Sequence, residues 1–548
     1  MKQVFVLVLV GISSFAMGQD TVTKADLNSA AKIFDLKFTP KEIDTLYSDV
    51  IDNIANYKAM HKLSLPNSVG LSTWQLATPL PNQKNIGKTN FTLTTASLPA
   101  HKEDLAFYSI SELAYLIKNK KISSLALTQF FIDRIKKYGD TLECVISLQE
   151  NIAYEQAKKA DAEIAAGKYR GLLHGIPYGL KDLFAVKGTK TTWGAAPYKN
   201  QVIEEDAFVY TQLKNAGAVL VAKFTLGALA MGDYWYGGRT RNPWNLKYGS
   251  SGSSAGSTAA TVAGLVPFAI GTETYGSIVS PSTQCGATGL RPTFGSVSRS
   301  GAMALSYSLD KVGPICRSAA DAAIVFNYIH GTDGKDLSAY TTAFNYPAEK
   351  DIRKMRIAYA KNYFDKIKDS NRNEFKVLAS FRQMGVELIP VDFPDSGVYN
   401  FNIMDVVIGV ECAAQFDEMT RLNIDDELTR QTKYDWPNQF RTARFVPAVE
   451  YINAQRHRTL LMQKVNEVMS KYDAIICPSR GAEGNQAAIT NLTGHPVVCV
   501  PTGFDTRNNL PTGISFVGNL YDEGTILTIA GAYQQKTDWN KKHPTLFK

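Results

Sequence analysis

Residues 249–292 read GSSGSSAGSTAATVAGLVPFAIGTETYGSIVSPSTQCGATGLRP. Two glycine-flanked serine clusters stand out, one around Ser253 and Ser254 and the other ending at Ser277. Between them, Thr258 to Ile270 is apolar and reads as a short helix, broken by Gly264 and Pro267, followed by a strand. Glycine is placed where backbone must turn with positive φ or press against another group. Serine supplies a hydroxyl that becomes a nucleophile once a base removes its proton. One such cluster is commonly a plain loop. Two clusters bracketing a buried segment point to chemistry if a base is at hand.

Residues 171–188, GLLHGIPYGLKDLFAVKG, offer that base. Leu172 to Phe184 is apolar apart from His174, Lys181 and Asp182, so a strand here carries Lys181 into or beside the core. The ordinary fates of such a lysine are an ion pair with Asp182 or a side chain snorkelling to water. Burial instead favours the neutral amine, which can act as a general base. Serine–lysine pairs are an alternative to the serine–histidine–aspartate arrangement.

These segments resemble the amidase signature family, which includes fatty acid amide hydrolases, peptide amidases and a component of glutamyl-tRNA amidotransferase. The family's Gly-Ser-Ser-Gly-Gly core is matched by Gly252-Ser253-Ser254-Ala255-Gly256, and its Gly-Thr-Asp-x-Gly-Gly-Ser segment by Gly271 to Ser277. The exit Cys-Gly-x-x-Gly-x-Lys/Arg-Pro-Thr is matched by Cys285 to Thr293. The lysine segment Gly-x-Pro-x-x-Leu-Lys-Asp is matched by Gly175 to Asp182. The likeness extends from about Ser109 to about Pro544. It implies an α/β fold, a large mixed twisted sheet covered by helices on both faces. It also implies a carboxamide hydrolase in which Ser277 is the nucleophile, Ser253 a bridging serine in a cis peptide, and Lys181 the base. The backbone N–H groups of Thr274, Tyr275, Gly276 and Ser277 would form the oxyanion hole, and backbone at Met231, Gly232 and Asp233 would face the substrate. The reaction implied needs no cofactor.

The chain also departs from the pattern. Tyr275 stands where a glycine is usual, at an oxyanion position, and could narrow the pocket. Ala255 replaces a glycine. Glu273 replaces an aspartate and Val279 an arginine, so an ion pair typical of many members is either lost or rebuilt. Two alternatives follow from the same residues. Tyr275 and Val279 suit a non-catalytic binding protein on this fold. Gly252 to Gly256 also reads G-x-S-x-G, the nucleophile elbow of α/β-hydrolases with Ser254 central. An elbow needs a buried strand before it, and Asn242 to Gly249 reads as no strand; it also needs a histidine. His457 falls on a polar, solvated helical face, and His495 at a loop-to-strand junction.

Upstream, Lys2, the apolar run Val4 to Ile12 and the small residues near Gly18 read as a signal peptide over residues 1–18, which predicts an exported protein. Residues 19–100 read as a separate region, a helix over Thr39 to Ala59 and then a polar strap. Residues 101–548 read as the catalytic domain that the resemblance implies. It opens with a capping box, Ser109 with Glu112, and then alternates helical and strand patterns as an α/β domain does. The segment Asp351 to Gln455 resembles the family least. Its Phe401 to Val410 stretch and Trp436-Pro437 are candidates for pocket walls.

Hydrophobic residues make up 45% and charged residues 20%, as in ordinary globular enzymes. A net charge of +8 with no basic tract does not suggest nucleic acid. No later run reaches the ~18 apolar residues of a membrane span. The six cysteines lack metal-type spacing and read mostly as buried free thiols. The expected partner is a small-molecule or peptide amide.

Overall fold

The computed structural model describes residues 22–62, 87–399, 401–479 and 484–548. The expected leader lies outside them, as do residues 63–86 of the expected strap. Eleven strands among the described residues form one mixed sheet. In chain order they are β1 (Val145–Leu148), β2 (Pro177–Lys181), β3 (Val219–Phe224), β4 (Ala269–Glu273), β5 (Thr288–Arg291), β6 (Lys311–Cys316), β7 (Ile357–Ala360), β8 (Leu388–Val391), β9 (Ala474–Pro478), β10 (Val497–Phe504) and β11 (Pro511–Gly518). Their order across the sheet is β1-β3-β2-β4-β6-β5-β10-β11-β9-β7-β8.

The inner strands are apolar on both sides, and side chains alternate between faces. Along β10, Val498 and Val500 enter one core cluster while Val497 and Cys499 enter another. Along β9, Ile476 joins the first and Ile475 and Cys477 the second. Two apolar faces require cover on both sides. Helices Ala319–Ile329 and Glu523–Thr537 pack in the first cluster; Ile403–Gln415 and Ala448–Met469 supply the second.

Strands β2 and β4 are parallel neighbours, with Leu180 opposite Ile270. Their carboxyl ends therefore lie together, bringing Lys181 beside Thr272 and Glu273. Strand β6 runs antiparallel to β4 and starts at this same end, with Lys311 opposite Glu273. Such ends are where open α/β sheets place their sites.

The Ser109–Glu112 capping box is present. Before the main domain, helix Pro40–His61 is capped by Thr39 with Glu42. A helix over Lys24–Ile33, not anticipated from the sequence, precedes it. Both rest on the segment from Lys433 to Phe445: Arg441 pairs with Glu42 at 2.6 Å, Lys433 with Asp49 at 3.0 Å, and Phe34 and Phe38 pack against Phe445.

Two expectations need correction. Asn245–Gly249 does form a strand, paired with Arg241–Asn242 in a two-stranded ribbon outside the main sheet. Its middle residues are exposed, so it is not the buried strand that an elbow requires. His457 is buried, not solvated. The helices Ile403–Gln415 and Gln486–Thr493 cover its helix, so the polar residues there meet Glu411 and Ser308 instead of water.

Candidate active site

Lys181 ends β2 fully buried. Its Nζ donates to Ser253 Oγ at 2.8 Å, to Thr272 Oγ1 at 2.8 Å and to Ser254 Oγ at 3.2 Å. Neither ordinary fate of a lysine applies. No side chain among the described residues forms an ion pair with it, because Asp182 is taken by Lys223 at 2.8 Å. Burial pushes the Lys181 amine down to about 7, against the pull of the more distant Asp310 and Glu273.

The Gly252–Ser253 peptide is cis. Gly252 has to be glycine, since a Cβ there would lie 1.8 Å from the Gly232 carbonyl oxygen. Asp233 holds this loop through its side chain, accepting from Ser251 N–H at 3.2 Å and from Arg239 at 3.2 Å. Gly232 itself is exposed, with φ of +65°, and Met231 is half-buried. Ser254 begins the helix Ala255–Val262, and its N–H donates to the Ser277 carbonyl at 3.1 Å, which ties the two serine clusters together.

Beyond β4 the chain turns through Thr274, Tyr275 and Gly276 to Ser277. The turn's positive φ falls on Gly276, at +89°, so the tyrosine at 275 costs no backbone strain. Its side chain stays 45% exposed and Ser277 8% exposed. The N–H groups of residues 274–277 donate to no other group among the described residues. The next helix, Val279–Cys285, starts under Glu273, whose Oε2 accepts from Ile278 N–H at 2.8 Å and Val279 N–H at 2.9 Å. Its Oε1 accepts from Arg291 at 2.9 Å and Asn491 at 2.8 Å. Thus the family's ion pair is rebuilt, with Arg291 of β5 as the cation. Burial alone would raise the Glu273 carboxyl, but Arg291 and the N–H donors outweigh it and hold it at about 2. On the other side of the turn, Thr274 Oγ1 donates to Asp310 at 2.6 Å, and Asp310 accepts from the Leu305 and Ser306 N–H groups.

A buried lysine and two serines at the carboxyl end of β2 and β4, with open N–H donors beside them, invite comparison with known enzymes. The family model described as Amidase matches residues 126–527. The chain belongs to the amidase signature family. It is an amidase, a hydrolase of carboxamide C–N bonds, with the mixed-sheet fold of that family. A relative in Coxiella burnetii, the A-type component of its glutamyl-tRNA(Gln) amidotransferase, is 33% identical over 483 residues, covering 80% of this chain and 99% of that one. The chain resembles the peptide amidase from Stenotrophomonas maltophilia with a TM-score of 0.70 at 26% identity, over 80% of this chain and 98% of that one. An amidase family protein from Bacillus anthracis superimposes with a TM-score of 0.72 at 26% identity, over 81% and 94% of the two chains. The reading as a non-catalytic binding protein is thereby set aside.

In this amidase no histidine among the described residues is bonded to Ser254, so the elbow reading has no base to support it. Ser254 Oγ donates to the Thr272 carbonyl at 3.1 Å and accepts from Thr272 N–H at 3.2 Å. His495 is buried and bonded to Thr493. All six cysteines are buried thiols outside any disulfide, and Cys285 Sγ donates to the Ser250 carbonyl at 3.4 Å. Ile403, Met404, Val406 and Val407 lie in the core. Trp436 donates from Nε1 to the Leu229 carbonyl at 2.9 Å, which fixes the backbone leading to Met231.

Sequence reading missed Thr272, Asp310 and Asn491. Each lies among other polar residues that give it no distinguishing signal, and its partner lies far away in the chain.

Proposed function

We propose that Lys181, Ser253 and Ser277 are the catalytic triad of this amidase and that Ser277 carries the acyl group. The observation that carries this reading is the Lys181 amine, buried without a counter-ion, shifted towards neutrality and 2.8 Å from Ser253. Neutral Lys181 takes the Ser253 proton while Ser253 takes the Ser277 proton. The Ser277 oxygen then bonds to the amide carbon, and the carbonyl electrons move onto oxygen. The N–H groups of Thr274, Tyr275, Gly276 and Ser277 receive that oxyanion, and their lack of another acceptor among the described residues supports this role. On collapse the C–N bond breaks, and the nitrogen leaves with a proton returned through Ser253. Water repeats the sequence on the acyl-serine and releases the acid. Met231 and Gly232 present backbone to the substrate, with Asp233 in a supporting place.

The substrate in this reading is a small or peptide carboxamide met outside the cytoplasm. The leader pattern at residues 1–18 supports export, and the likeness to a peptide amidase supports the substrate class. A panel of carboxamides, with released ammonia or amine measured for the wild type and Ser277→Ala, tests it. Turnover lost in the variant is expected. Turnover retained would overturn it.

A further inference from the structure

We propose that a second, anion-binding subsite lies beside the triad, built on Lys311, and that it takes a carboxylate carried by the amide substrate. A cavity of about 280 Å³ opens here, lined by Thr272, Thr274, Leu305, Asp310 and Lys311, with Arg299 towards its rim. It touches the reacting centre, because Thr272 is bonded to Lys181 and Thr274 begins the row of open N–H donors. The inference rests on the reading of Ser277 as the attacking group.

Three buried lysines stand close together in this fold, and they differ in what meets the amine. Lys223 has the Asp182 carboxylate, and Lys181 has three hydroxyls. Lys311 is 2% exposed, yet among the described residues it makes one hydrogen bond, to the carbonyl of Leu309, and no ion pair. The charged groups around it are all engaged elsewhere. Glu273 is held by Arg291 and Asn491, and Asp310 by Thr274 and two backbone N–H groups. Arg458 is bonded to Ser308 and to the Leu492 carbonyl. Burial and the neighbouring Arg291 push the Lys311 amine well below its ordinary value, because a buried ammonium without a counter-ion is costly. A ligand carboxylate entering the cavity would supply that counter-ion.

The rim agrees in sign. Arg299 is held by Asp336 at 2.8 Å, while Lys335 is exposed and forms no ion pair among the described residues. Besides Lys311, the lining groups are Arg299 and Lys335 against Asp310 and Asp336, and burial raises the Asp310 carboxyl towards its neutral form. Such a mouth attracts anions.

The test uses the monoamides of succinic, glutaric and adipic acid, each against the amide in which an isopropyl group replaces the carboxylate. In the wild type, kcat/KM is expected to favour at least one acid over its neutral counterpart by about tenfold or more. In Lys311→Met that ratio falls to near one, and Lys311→Arg keeps a preference for the acid. No preference in the wild type, or an unchanged ratio in Lys311→Met, overturns the subsite. Calorimetric titration with glutarate gives a readout free of turnover. Binding to the wild type and to Ser277→Ala, lost in Lys311→Met, supports the subsite, and binding unaffected by Lys311→Met rejects it. Turnover surviving in Ser277→Ala would remove the triad reading while leaving the glutarate result to stand or fall by itself.

Discussion

The Asp182 carboxylate, adjacent in sequence to Lys181, pairs with Lys223 at 2.8 Å, and both partners are fully buried. Asp182 lies in the turn just past the end of β2. There it serves Lys223 of the neighbouring strand β3 and leaves Lys181 among hydroxyls. Burial lowers both amines, but Asp182 pulls Lys223 back towards the charged form, whereas Lys181 has no such partner among the described residues.

A base that works as the free amine gives a rising pH profile. Lys181 is held at about 7, so kcat/KM should climb as pH passes through about 7 and level off above it. Lys181→Ala should lower kcat/KM by about 10²–10⁴-fold and abolish that limb. A profile in the variant that still rises through about 7 would assign the limb to another group.

Removing the Asp182 charge tests the other lysine. Asp182→Asn leaves the Lys223 ammonium buried and unpaired, so stability should drop by about 3–5 kcal/mol. Equilibrium urea unfolding measures it. A change below about 1 kcal/mol would mean that Lys223 is already neutral in the folded enzyme.

The Glu273–Arg291 pair sets an acid limit. The Glu273 carboxyl falls from 4.5 to about 2 on folding, so the folded enzyme gains stability that is fully present above pH 4.5. That gain, about 3 kcal/mol, disappears as pH falls from 4.5 towards 2. Glu273→Gln should lose stability at pH 7 and show a flatter decline with acid. Urea midpoints measured between pH 7 and pH 3 decide the point.

Thr274 and Asp310 give a test of positioning. Thr274→Val removes the 2.6 Å bond to Asp310 without deleting a backbone donor. The expected result is a fall in kcat of about tenfold, less than the loss seen when an oxyanion donor is removed. KM should change little, and Thr274→Ser should restore the rate. An equal loss in both variants would show that the methyl group, not the hydrogen bond, matters.

Much of the candidate site is readable from residues 249–292 and 171–188, because its signals there are local ones. Ser253, Ser254 and Ser277 sit among glycines, and Lys181 sits in an apolar strand; both patterns are short-range. The strands are visible for the same reason, since Val497 to Val500 is apolar on both faces. Pairings set by the sheet order are not readable. Nothing near Glu273 in sequence announces Arg291 or Asn491, and nothing near Lys181 shows that Lys223 claims Asp182. His457 defies its sequence pattern because a polar helical face looks solvated until another helix with its own polar residues covers it. The helix Lys24–Ile33 has a weak apolar stripe and rests on distant aromatic contacts with Phe445.

The most direct test of the central claim is covalent labelling with a fluorophosphonate, followed by peptide mass spectrometry. The triad predicts label on Ser277, absent in Ser277→Ala and much slowed in Lys181→Ala. Label on Ser254, or labelling of Ser277 at an undiminished rate without Lys181, would contradict it.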